Sequence, residues 1–336
     1  MKQKKEIKHG CGPVRSAVLL LAGSMMLSLP PVCTVLTVQA SSGEEASAQS
    51  TEPKVQNEIT YEYLRDGNGD LYTCSEGYAI IKRETDPEGR VVRAVYLNPD
   101  GQPVKNTALG YASVEVTFNE DGSSAREAYF DTEGNPVIAA SGCAAMLREY
   151  DDKHQPVFIA QYDAEGAPLA FSAGFYCMHR TYDDKGRVIR RDYMDANRNP
   201  MTASGYGYAS IEYEYDSNDN IIKEEYFGTD GTPVEVAGTA GVRRTYDDNG
   251  NMILESFYNK DGDLVVRDNG AVYVHNMYNT DGRIIRTDYY DAAGNPVMTI
   301  GNCASIVYEY DMDGNQIYIR AYDASGKAVR TEVKLR

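Results

Sequence analysis

The residues that could do chemistry fall into a few recurring sets. Oxygen-rich clusters recur, as in Asp311-Met312-Asp313-Gly314-Asn315 and Asn259-Lys260-Asp261-Gly262-Asp263. Clustered carboxylates and amides suggest calcium. A helix-flanked calcium loop, however, needs Gly at its sixth position and a bidentate Glu at its twelfth, and neither is there. The spacing fits hairpin turns instead. After residue 40 the histidines are His154, His179 and His275, at different repeat positions and with no nucleophile motif or metal spacing around them. Cys74, Cys143, Cys177 and Cys303 show no Cys-x-x-Cys spacing, which disfavours structural zinc and leaves free thiols as the expectation. The expectation is no enzyme, no metal site and no cofactor.

Binding chemistry is better represented. The chain has 27 Tyr, 7 Phe and no Trp. Tyr78, Tyr111, Phe175 and Tyr208 each follow a glycine at one recurring position, on the parity that faces solvent. Aromatic faces meet sugars and protein partners alike, so these four are the candidate ligand-binding residues. The alternative is that the rings cover neighbouring backbone and only stabilise it. Arg83, Arg148, Arg180 and Arg244 share a second recurring position, on the apolar parity. They predict stacking or ion pairing with adjacent strands, or else a row of anion or sugar contacts.

These positions recur because the chain is a repeat. Units begin near Gly77, Gly110, Gly142, Gly174, Gly207, Gly238, Gly270 and Asn302, after a half unit at 58–76. Each opens on strict alternation: Ala209, Ile211, Tyr213 and Tyr215 interleave with Tyr208, Ser210, Glu212 and Glu214. Such alternation is a half-buried strand. A turn follows, with Asp or Asn three residues before Gly, as in Asp86/Gly89, Asp183/Gly186 and Asp247/Gly250. The acid bonds its own backbone and the glycine takes positive φ. His154 and Asp219 stand in the glycine's place in two units and are expected at positive φ, because their residue types tolerate it. A second strand ends in an aromatic pair such as Tyr226-Phe227. A second turn then ends in Gly, with Arg198 the exception, and Pro follows in six units. Sustained helical periodicity is missing outside the first 40 residues. The fold expected is all-β: an elongated array of about eight stacked antiparallel β-hairpin repeats of roughly 32 residues, since one hairpin cannot bury its own apolar face.

Tyr-Asp recurs at 150–151, 162–163, 182–183, 215–216, 246–247, 290–291, 310–311 and 322–323, mostly with Gly three residues after the Asp. This resembles the YD, or rearrangement hot-spot, repeats of bacterial surface and toxin proteins, over residues 58–336. The resemblance implies a β-strand array that wraps a surface or encloses a cargo. The Tyr-Tyr/Phe-Asp-x-x-Gly segments are also similar to the choline- and glucan-binding cell-wall repeats of Gram-positive bacteria.

Charge and the first 40 residues set the surroundings. Net charge is −17, and the part after residue 40 holds 28 basic against 49 acidic residues. That excludes nucleic acid, whose phosphates need Lys and Arg. Residues 1–40 combine Lys2, Lys4, Lys5, Lys8 and Arg15 with an uncharged Ser16–Ala40 stretch ending in Val38-Gln39-Ala40. This is the pattern of a secretory signal peptide, or of a membrane anchor if it stays uncleaved. Residues 41–57 are expected to be a flexible linker. The expected function is an exported or surface-held, non-catalytic binding module for a glycan, a cell-wall polymer or a protein. The alternative is a structural spacer or shell fragment of a larger surface or toxin assembly.

Overall fold

Alternating side chains and acid-capped turns give hairpins wherever both occur together. The computed structural model describes residues 57–267 and 269–333, and every regular element among them is a β-strand. The expected signal segment, 1–40, and residues 41–56 of the expected linker lie outside the described residues. The chain divides after Asn106 into two compact units. In the first, β1 (Glu58–Tyr63), β2 (Ile80–Thr85) and β3 (Val91–Leu97) pair antiparallel in chain order.

The second unit holds β4 (Ser113–Phe118), β5 (Ser124–Phe130), β6 (Ala145–Tyr150), β7 (Pro156–Tyr162), β8 (Pro168–Leu169), β9 (Cys177–Tyr182), β10 (Val188–Met194) and β11 (Ser210–Tyr215). It continues through β12 (Ile221–Phe227), β13 (Gly241–Tyr246), β14 (Met252–Tyr258), β15 (Tyr273–Tyr278), β16 (Ile284–Tyr290), β17 (Ser305–Tyr310), β18 (Gln316–Tyr322) and β19 (Ala328–Val333). Each strand pairs antiparallel with the next, except that β7 carries both the short β8 and β9.

The hairpin turns use the predicted chemistry. Asp183 Oδ1 accepts the N–H groups of Lys185 at 3.0 Å and Arg187 at 2.9 Å. Gly186, at φ 82°, donates its N–H to Asp183 O. His154, Arg198 and Asp219 take the glycine's role at φ 60°, 68° and 67°. The Asp311 and Asn259 clusters are turns of this kind, each side-chain oxygen accepting two N–H groups of its own loop.

A third turn, unmarked in the sequence pattern, recurs at the unit boundaries. Gly142 N–H donates to Ala139 O, Gly174 N–H to Phe171 O and Gly270 N–H to Arg267 O. The glycines that mark the unit boundaries are therefore turn residues. Asn302 does the same work at φ 54°, donating to Thr299 O, and Ala237 at φ 49° sits inside the turn that Thr239 N–H closes on Val236 O.

Because this connection folds back on itself, adjacent hairpins share little ladder. β11 and β12 are paired from Ser210–Phe227 to Tyr215–Ile221, whereas β12 and β13 meet only at Lys223–Arg243, Glu224–Val242 and Glu225–Gly241. The tyrosine that ends the first strand of five hairpins, before Asp or, at Tyr278, before Asn, bridges the gap. Tyr182, Tyr215, Tyr246, Tyr278 and Tyr310 donate their hydroxyls to the carbonyls of Pro156, Val188, Ile221, Met252 and Ile284, at 2.7 to 3.0 Å. Each acceptor is the first residue of the preceding hairpin's second strand. Each bond contributes about 1 kcal/mol net. The motif thus joins one hairpin to the last with its tyrosine and closes its own turn with its aspartate.

The turn carboxylates make stability acid-sensitive. Backbone N–H donation, chiefly from the residue four positions on, holds Asp131, Asp183, Asp195 and Asp291 below the usual carboxylate range. A depressed folded pKa adds stability that is present above the unfolded value, about 3.9, and is lost as pH falls through the folded one. Thermal midpoints should be level from neutral pH to about 5 and fall below about 4. Asn119, Asn259 and Asn279 close equivalent turns without a carboxylate. Asp131→Asn, Asp195→Asn and Asp291→Asn together should therefore flatten the acid loss. An unchanged pH profile in that triple variant would place the acid sensitivity elsewhere.

Candidate functional site

The central residue of each strand builds one row of side chains across the sheet face of the second unit. Antiparallel pairing sets Val116 opposite Glu127, Arg148 opposite Ile159, Arg180 opposite Arg191, Tyr213 opposite Glu224, Arg244 opposite Glu255 and Asn276 opposite Thr287. Directly opposed side chains share a face. Polar members of this row mostly satisfy one another. Glu127 binds Arg148 at 2.5 Å, with both side chains only 13% exposed. Arg244 bridges Glu224 at 2.7 Å and Glu255 at 3.0 Å. Thr287 donates its hydroxyl to Asn276 at 2.9 Å. In the first unit Arg83 is likewise bound to Glu62 at 2.7 Å. So three of the four arginines predicted to share this position have glutamate partners, and Arg180 faces a second arginine.

The four predicted binding rings occupy one structural position and each packs against a ring of its own hairpin, stacked for Tyr111 and Tyr208 and tilted for Tyr78 and Phe175. Tyr111 lies 4.9 Å from Tyr129, Phe175 4.7 Å from Tyr193 and Tyr208 4.8 Å from Tyr226, centroid to centroid. Tyr78 stands 4.9 Å from Tyr96 in the first unit. Parity predicted solvent exposure. The structure has Phe175 at 5% exposure and the three tyrosines half-buried. The third turn is the reason, since it folds the ring back over the strand. Burial pushes the Tyr193 hydroxyl up to about 12.

Two of these pairs merge into a larger cluster. Phe175, Tyr193, Ala203 and Ile211 are buried together, flanked by Met178, Tyr208, Tyr213 and Tyr226. Tyr206 caps it, 5.2 Å from Tyr193 and 5.7 Å from Tyr208, and remains 42% exposed. Tyr206 lies outside the recurring ring position, and only the folding of its turn shows it to be a surface ring.

Other groups with chemical potential are spent on structure. Cys143, Cys177 and Cys303 are buried and Cys74 is half-buried, all as free thiols. Burial pushes the Cys74, Cys143 and Cys177 thiols up, away from the reactive thiolate. His154 is a turn residue. Among the described residues no group of His, Cys, Asp and Glu is disposed to hold a metal ion. A cleft of about 300 Å³ runs beside Lys153, Gln155, His179, Arg180, Asp183 and Asp184. A second, of about 310 Å³, is lined by Arg190, Glu212, Tyr213, Lys223 and Glu225. The polar groups of this second cleft are already joined as ion pairs, Arg190 with Glu212 and Lys223 with Glu225.

No protein-family model matches the chain, and no curated protein does. Among solved structures the chain is similar to parts of toxin complexes. One is the crystal structure of TcdB2-TccC3-TEV, at 14% identity over 82% of this chain and 16% of that one, with a TM-score of 0.33. Another is the Photorhabdus luminescens Tc holotoxin pore with a mutated TccC3, at 12% identity over 82% and 19%, with a TM-score of 0.20. A third is TcdB2-TccC3 without its hypervariable C-terminal region, at 12% identity over 80% and 22%, with a TM-score of 0.13. This chain spans about a fifth of the length of those chains.

Proposed function

We propose that this protein is an exported, non-catalytic structural array of YD type, serving as a wall or spacer segment of a larger surface or toxin assembly. The observation that carries this reading is the Tyr-Asp motif itself. At 182–183, 215–216, 246–247 and 310–311 its hydroxyl staples successive hairpins and its carboxylate closes their turns, so these repeated residues serve cohesion. The predicted ring position supports the same reading, because each ring is engaged within its own hairpin. Export follows from the pattern of residues 1–40.

A second reading, carbohydrate binding, is favoured by one feature. Tyr206 offers an exposed ring face above the buried cluster of Phe175, Tyr193 and Ile211, the arrangement that meets a sugar. One experiment separates the two. The protein lacking residues 1–40 and its Tyr208→Ala variant are tested on a glycan array and on cell-wall polysaccharide, with stability followed by urea unfolding. The structural reading expects no saturable glycan binding by either protein. It also expects a loss of about 2 kcal/mol in Tyr208→Ala, from removing a half-buried stacked ring. Saturable glycan binding by the parent would overturn it, and loss of that binding in Tyr206→Ala would assign the contact to the exposed ring.

A further inference from the structure

We propose that Arg180 and Arg191 form a binding site for an oxyanion, lodged between two opposed guanidinium groups on the β9–β10 hairpin. The proposal is independent of the structural reading above.

The repeat supplies its own control. Glu127 reaches Arg148 from the strand before it, and Glu224 reaches Arg244 in the same way. The residue at that position before Arg180 is Ile159. Glu255 stands directly opposite Arg244, and at the matching place opposite Arg180 stands Arg191. Both of the positions that supply glutamate elsewhere have therefore changed, one to an apolar residue and one to a second cation. Like charges directly opposite in a sheet destabilise it. Here they also share a face with Met178, Tyr193 and Ile211 of the buried cluster, where screening is weak.

The local groups leave the pair without a counter-charge. The Nε atoms of Arg180 and Arg191 are buried and have no hydrogen-bond partner. The Arg191 guanidinium lies 5.4 Å from the centre of the Tyr213 ring and beside the Tyr193 hydroxyl, neither of which is anionic. The nearby carboxylates are committed: Asp192 and Glu212 to Arg190, Glu224 to Arg244, and Asp183 to its own turn and Arg187. Among the described residues no carboxylate forms an ion pair with Arg180 or Arg191. The cleft beside Lys153, His179 and Arg180 opens this end of the row to solvent, past Asp151, Asp183 and Asp184.

A guanidinium fork matches the paired oxygens of phosphate, sulfate or carboxylate. Two forks on directly opposed residues of one face suit one oxyanion with oxygens to spare for both. It would replace what glutamate supplies in the neighbouring hairpins. The anion can come free from solution or as a group on a polymer, and the chemistry of the site is the same for both.

The test uses the full mature chain and inorganic phosphate, with ionic strength held constant by sodium chloride. Phosphate is expected to raise the thermal midpoint of the parent and to bind measurably by calorimetry. Arg191→Glu places a carboxylate where Glu255 stands. It should melt higher than the parent in phosphate-free buffer and lose the response to phosphate. Arg191→Gln keeps the length and removes one charge. Its phosphate affinity should fall at least about tenfold, the worth of one charge-assisted bond. Dextran sulfate beside free sulfate then separates a polymeric source from a free ion. An equal phosphate response in the parent and in Arg191→Glu would mean general salt exclusion. That result, or no response in the parent, would overturn the site.

Discussion

Replacing Gly241 with alanine is expected to lower stability by about 3 kcal/mol, at the upper end of what overpacking costs. Gly241 begins β13 directly opposite Tyr258 of β14. The tyrosine ring lies across the glycine, is 2% exposed, and donates its hydroxyl to Glu224 O at 2.8 Å on the strand beyond. A Cβ on residue 241 would fall on the Tyr258 hydroxyl and on the Glu224 carbonyl. One is a pinned ring and the other is backbone, so neither can yield cheaply. Other hairpins hold Ile80, Ser113, Ala145 or Ser210 at this strand position, so a Cβ there is compatible with the strand itself. Urea unfolding measures the loss, and hydrogen exchange should show β12, β13 and β14 opening first, because repeat arrays are held by neighbour contacts. Tyr258→Phe, which removes only the hydroxyl, should cost about 1 kcal/mol. A loss below about 1 kcal/mol for Gly241→Ala would show that the ring swings aside freely.

Removing Glu127 should cost about as much, by a different route. Glu127 bonds Arg148 at 2.5 Å and accepts the Tyr129 hydroxyl at 2.9 Å. Burial comes first, and the Glu127 charge second, among the causes that push the Tyr129 hydroxyl up. Glu127→Leu leaves the Arg148 guanidinium in a largely buried row without its partner, at a cost of about 3 kcal/mol. Glu127→Leu with Arg148→Leu should recover most of that, because an apolar pair of similar bulk needs no desolvation of charge. What remains should be about 1 kcal/mol for the stranded Tyr129 hydroxyl. A double variant no more stable than Glu127→Leu would mean that the pair matters for packing more than for charge. The outcome also bears on Arg180 and Arg191, which occupy the same row with no glutamate at all.

Much of this architecture was legible because its rules are local. Alternation at 209–215 is a strand whatever surrounds it. An Asp three residues before Gly closes its turn with bonds to residues two and four positions on, so turn chemistry is complete within five residues. That is why His154 and Asp219 could be placed at positive φ from their spacing and residue type, and Arg198, the exception in the second turn, takes positive φ as well. The third turn escaped notice because its residues vary, from Cys74-Ser-Glu-Gly77 to Val236-Ala-Gly238, with no acid to mark it. Missing it misplaced Phe175, whose parity pointed to solvent while the turn carried its ring inward.

What lies between hairpins was decided only in three dimensions. The Tyr246 hydroxyl finds Ile221 O, 25 residues earlier, and the Arg244 guanidinium finds Glu224. Neither pairing follows from parity, because register between hairpins is set by how the connecting segment folds back, over only three paired residues. Arg180 looked equivalent to Arg83, Arg148 and Arg244 because one residue type shared one repeat position. Its difference lies in the partners across the ladder, Ile159 on one side and Arg191 on the other. The sequence by itself therefore determined the strands, the hairpins and the residues that close them, since those depend on contacts within a few positions. Tertiary structure alone decided which charges are paired, which rings are covered and where two cations stand opposed, because those depend on neighbours brought together across the ladder and not on neighbours in sequence.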